Sequence, residues 1–189
     1  MQARLSLIIA MLLTARAFAD EPVQAAVVFK GKVSMLGIAA SQLGSEWTGP
    51  TGLVIDDFKD LTNLSGEDKE VAEELKKQVA AIGVVQTADF TYRKKLNPLH
   101  QVTLRVFVFD SNQSCRNWWK QKYQFDGWEK YYSAVRGLPY SAADSKETSK
   151  RAVAFGNVWI TCGALGETND HLKVLDLYLE KIKATAKQP

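Results

Sequence analysis

The 189-residue chain is short of the groups that most enzyme sites are made from, with two histidines and two cysteines. His100 and His171 stand 71 positions apart, with neither HExxH nor CxxC around them. The usual spacings of zinc and haem sites are therefore missing, and no metal or cofactor is expected. There is no GxSxG elbow and no SxxK, so nucleophilic hydrolysis has no local signature. The glycine-containing stretch 44–52 (GSEWTGPTG) lacks a following Lys-Ser/Thr, and Pro50 removes one of the amides that a phosphate cradle needs. It reads as a turn. The adjacent acids Asp56 and Asp57 point to opposite sides of an extended chain, which suits a solvated strand end. No catalytic residue is assigned.

Long apolar runs are also missing. The longest, residues 5–13 (LSLIIAMLL), spans nine positions. At about 1.5 Å per residue it cannot cross a hydrocarbon core of about 30 Å. Its setting is that of an export signal: Arg4 precedes it, and Ala17-Phe18-Ala19 follows with small-x-small spacing. Residues 1–19 are read as a signal peptide and 20–189 as a single globular domain, periplasmic or secreted, with no stable membrane span after cleavage. Removing Arg4 and Arg16 lowers the formal net charge from +3 to +1. Net charge therefore gives no reason to expect a nucleic-acid partner. The remainder, drawn from a chain that is 46% hydrophobic and 24% charged, can bury a core of its own.

In an exported chain two cysteines predict a disulfide. A Cys115–Cys162 bridge closes a loop of 48 residues, worth roughly 4 kcal/mol by chain entropy. The rival readings are two buried thiols, or a reactive cysteine with a histidine base.

Periodicity supplies the elements. Residues 66–82 carry Val71, Leu75, Val79 and Ile82 at helical spacing, behind Ser65 as N-cap and ahead of Gly83. Ala88, Phe90 and Tyr92 alternate with polar residues, and Val102, Leu104, Val106 and Val108 follow as an apolar face. Phe107 and Phe109 add apolar surface to the opposite face, which marks this strand as central. A helix runs from Ser111 or Asn112 to about residue 123. Segment 126–139 is aromatic and irregular, and 141–150 reads as an exposed loop. Gly156-Asn157 is a two-residue hairpin turn that pairs Phe155 with Val158 and Val153 with Ile160. A last helix covers 169–184. The expected fold is α+β: an antiparallel sheet of two β-hairpins, each followed by a helix, with the helices covering one face as a two-layer sandwich.

One region stands above background. Eight of the 19 aromatic residues fall within the 23 positions 118–140, interleaved with Lys and Arg. Flat rings beside cations form a stacking platform. The candidate ligand-binding residues are Trp118, Trp128, Lys130, Tyr131, Tyr132 and Arg136, and the competing role for these rings is core packing. The function expected is an exported non-catalytic domain that binds a small ligand or a protein partner. A cysteine-dependent enzyme and a structural protein of the cell envelope are the alternatives.

Overall fold

The structure is a computed structural model that describes residues 28–122, 128–135, 138–145, 148–166 and 170–185. The proposed signal peptide and Arg136 lie outside the described residues. Strand β1 is Trp47–Thr51, β2 Val54–Ile55, β3 Val84–Lys94, β4 Gln101–Phe109, β5 Trp128–Val135, β6 Leu138–Ser145, β7 Lys150–Phe155 and β8 Val158–Leu165. Helix α1 is Gly66–Ala80, α2 Asn112–Lys122 and α3 Asp170–Thr185, and two short 3-10 turns occupy Val33–Leu36 and Ala40–Gln42. All described strand pairs are antiparallel, in the order β1-β3-β4-β8-β7-β6-β5, with β2 also on β3.

The fold is therefore α+β on one antiparallel sheet, but the helices do not share a face. On one side Val102, Leu104, Val106 and Val108 of β4 pack with Ile160 and Cys162 of β8 beneath Val174, Leu175, Tyr178, Leu179 and Ile182 of α3. Phe29, Val33, Leu36, Ile38 and Leu43 complete this core from the segment before β1. On the other side Phe107 and Phe109 of β4 join Trp159, Ala152 and Ala154 beneath Cys115 of α2, with Ala72 and Val79 of α1. The expected two-layer sandwich is corrected to three layers. The cause is β4 itself, which is apolar on both sides over its second half and needs cover on both.

Several local readings appear as the sequence patterns them. Gly156 adopts φ +57°, and Phe155 pairs with Val158 and Val153 with Ile160. Ser111 caps α2, its Oγ accepting the Ser114 N–H at 3.1 Å. Others differ. Residues 141–145 are strand rather than loop, because Ala142 and Ala143 are small enough to be fully buried under both layers. Segment 128–135 forms the edge strand paired with it. Val71 of α1 is exposed, and Ala72 takes its place against the sheet.

Two buried polar clusters tie the layers together. The Asn157 carboxamide accepts the Phe29 N–H at 2.7 Å and donates to the carbonyls of Phe29 and Phe109. The Tyr92 hydroxyl donates to the Ile38 carbonyl at 3.0 Å, accepts the Ile38 N–H at 3.2 Å and lies 2.8 Å from the Tyr178 hydroxyl. Burial pushes both phenol pKa values up. The neutral phenols are thus favoured by the fold, and their contribution is lost as pH rises above the unfolded value near 10. Tyr92→Phe leaves the Ile38 groups and Tyr178 without their partner and is expected to cost about 1–3 kcal/mol, whereas Tyr178→Phe is expected to cost about 1 kcal/mol. Urea unfolding of the two variants checks this order.

Candidate functional site

The face of the sheet that carries α2 is divided along its strands. On β4, Phe107 and Phe109 sit under the helix, while Gln101, Thr103 and Arg105 continue the same side beyond it. On β8, Trp159 is followed on that side by Thr161, Gly163 and Leu165. On β7, Ala152 and Ala154 lie under cover, and Lys150 lies outside it. The cover stops where apolar side chains give way to polar ones, leaving an open cavity of about 520 Å³. Its walls include Gln101, Thr103, Arg105, Thr161, Lys150 and, from the last turn of α2, Lys122.

Among the described residues, three cations and no carboxylate line this cavity. Arg105 is held by a bidentate pair with Asp89, its Nε donating at 2.8 Å and its second nitrogen at 2.9 Å. Hydrogen bonding to that carboxylate pushes the guanidinium pKa upward, with burial acting against it. Lys122 places its ammonium 5.6 Å from the Trp118 ring centre. Gly163 is paired with Lys150, and a Cβ there would lie 3.0 Å from Lys150 Cγ. The glycine thus lets the lysine stem cross the sheet at close range. Hydroxyls of Thr103 and Thr161 beside three cations can bind an anionic, hydrogen-bonding ligand.

Five of the six aromatic-basic residues lie on described elements, one on α2 and four on β5. Trp118 is half-buried, edge-on to Trp159 at 5.8 Å and 6.1 Å from Phe107, so it helps fasten α2 to the sheet. It also borders a smaller cavity of about 310 Å³ near Gly83 and Asp110. Trp128, Lys130, Tyr131 and Tyr132 lie on edge strand β5, in register with Ser145, Ala143, Ala142 and Ser141 of β6. Trp128 therefore begins β5 at the end of the sheet where Lys150 begins β7. The cavity residues Gln101, Thr103, Arg105, Thr161 and Lys150 were not singled out in the sequence. The signal available was the switch from polar to aromatic along one side of β4.

Both histidines are packed inside the fold. His171 is buried at the start of α3. His100 is also buried, its Nε2 3.0 Å from Asp170, which Lys94 meets at 3.1 Å. Trp47 stands edge-on to His100 at 6.0 Å.

The cysteines overturn the expected bridge. Cys115 belongs to the layer under α2, and Cys162 to the layer under α3. The sheet lies between them, and both are free thiols. Burial pushes the Cys115 thiol up to about 12 and raises that of Cys162 as well. Cys162 donates its S–H to the His171 carbonyl at 3.2 Å. Neither is the accessible thiolate that a cysteine-dependent enzyme requires.

No protein-family model matches the chain, and no curated protein matches it. Among solved structures, the extracellular domain of PknH from Mycobacterium tuberculosis is similar at a TM-score of 0.44 and 11% identity, over 80% of this chain and 94% of that one. A likeness of that size assigns neither family nor function. No helix among the described residues is long and apolar enough to cross a membrane.

A thiol titration follows from the cysteine geometry. Native protein is expected to show no fast-reacting thiol and denatured protein two. A bridge gives none in either state, and one fast native thiol indicates an activated cysteine.

Proposed function

We propose that this is an exported, non-catalytic binding domain whose ligand is anionic and seats in the cavity beyond the end of α2. The observation that carries the reading is the cavity's lining among the described residues, in which Lys122 and Lys150, with Arg105 paired to Asp89 beside them, surround the hydroxyls of Thr103 and Thr161 and no lining residue is an acid. The reading takes Trp128, Lys130, Tyr131 and Tyr132 of strand β5, with Trp118 of α2, as further ligand contacts, and Arg136, outside the described residues, with them. Export is read from residues 1–19 alone, since the thiols no longer bear on the compartment.

The test uses citrate, a small tricarboxylate, followed by amide shifts in NMR. Saturable shifts are expected at Thr103, Thr161 and Gly163. Lys150→Glu is expected to weaken binding roughly tenfold, the scale of one charge-assisted contact, with no change in thermal midpoint because Lys150 is exposed. Shifts scattered over the surface, or unchanged affinity in Lys150→Glu, contradict the proposal. For the aromatic strand, Trp128→Ala is expected to weaken citrate binding without large destabilisation, and large destabilisation would return that ring to the core.

A further inference from the structure

The turn between β3 and β4 displays two leucines to solvent. Leu96 is 99% exposed and Leu99 77% exposed, and on the neighbouring strand Leu165 is 58% exposed. Leu165 is paired with Gln101, two positions after Leu99, so the three share one end of the sheet. The turn that presents them is well built. The His100 N–H donates to the Asn97 carbonyl at 2.8 Å, the Lys94 N–H to the His100 carbonyl at 3.0 Å, and the Lys95 N–H to the Glu46 carbonyl at 2.8 Å. His100 is buried behind it. Single exposed leucines are ordinary on a protein surface, but a group of three at one projecting end is an interaction feature.

The leucines stand in front of a cationic collar. Arg93, Lys94 and Lys95 immediately precede Leu96, and Lys150 lies beside Gly163, two residues before Leu165. Arg93 and Lys95 donate to neutral acceptors, the Gln101 side-chain oxygen and the Ser45 carbonyl, and so keep their charge uncompensated by those contacts. Lys94 is matched by Asp170. Among the described residues, four cations stand against Glu46 and Asp170 at this end.

We propose that this end of the sheet docks on an anionic lipid bilayer, with Leu96 and Leu99 entering the acyl boundary and the cationic collar at the phosphate layer. The form of the feature selects a bilayer. A protein partner must offer a groove shaped to a projecting two-leucine tip, whereas a bilayer accepts any convex apolar projection. Lysine and arginine set one to three residues behind the tip match the depth of headgroups, where their stems lie along apolar surface and their charges meet phosphate. Docking in this pose also turns the mouth of the cationic cavity, through Gln101, Lys150 and Leu165, toward the headgroup layer.

The test places an environment-sensitive fluorophore at Asn97→Cys, and in a second protein at Ala81→Cys, an exposed position at the opposite end of β3. The native thiols are buried and stay unlabelled. With vesicles of phosphatidylcholine and phosphatidylglycerol, the label at position 97 is expected to shift to the blue and the label at 81 to stay unchanged. Leu96→Ser with Leu99→Ser is expected to weaken vesicle binding about tenfold or more, the scale of two buried leucine side chains. Both side chains are exposed, so the double variant retains its fold, which its thermal midpoint verifies. Because the readout is local to the turn, binding through any other segment leaves it silent. A silent label at 97, an equal response to pure phosphatidylcholine, or unchanged affinity in the double variant overturns the proposal.

Discussion

The constraint on which the rest depends is that one side of β4 changes character halfway along. Val102, Leu104, Val106 and Val108 require cover along the whole strand, and α3 with the segment before β1 provides it. On the opposite side only Phe107 and Phe109 require cover, and α2 is long enough to supply that and no more. Three layers, a partly bare sheet face and a polar cavity all follow from this division. Burial of apolar area dictates where α2 must sit, and the polar residues beyond it dictate where it must stop.

The same layering decides the cysteines. Cys115 and Cys162 each lie beside a hairpin and each faces a core. The sequence contains one sheet but two cores, and facing a core does not specify which. Residue parity on β8 puts Cys162 with Ile160 and Leu104, while Cys115 on α2 must follow Trp118 toward Phe107 and Trp159. The sequence already held the clue, in the aromatic pair on the far side of β4. Once both faces of that strand are apolar, helices are needed on both, and the two thiols can fall in separate layers.

Elements with strong periodicity or a strict turn requirement were legible: the β7–β8 hairpin through Gly156-Asn157, the double-faced β4, and helices α1, α2 and α3 within a few residues. The β5–β6 hairpin was not, because Ala142 and Ala143 fill a tight interior with side chains too small to give a hydrophobic alternation, and the flanking serines and acids read as loop. Burial of His171 was also hidden, since nothing local distinguishes a capping-turn histidine from one tucked under a helix. The candidate cavity was legible only as a pattern. Gln101, Thr103 and Arg105 looked like the solvent side of a half-buried strand, and it takes the neighbouring Thr161, Gly163 and Lys150 to turn that side into a concavity.

The central claim is that α2 divides this sheet face into a packed half and an open half, two residues apart on β4. Urea unfolding of Phe107→Ala beside Arg105→Ala measures it most directly. The account predicts a loss of about 3–5 kcal/mol for the buried ring and under about 1 kcal/mol for the half-exposed arginine, whose pair with Asp89 is largely solvated. Comparable losses at the two positions, in either direction, would contradict it.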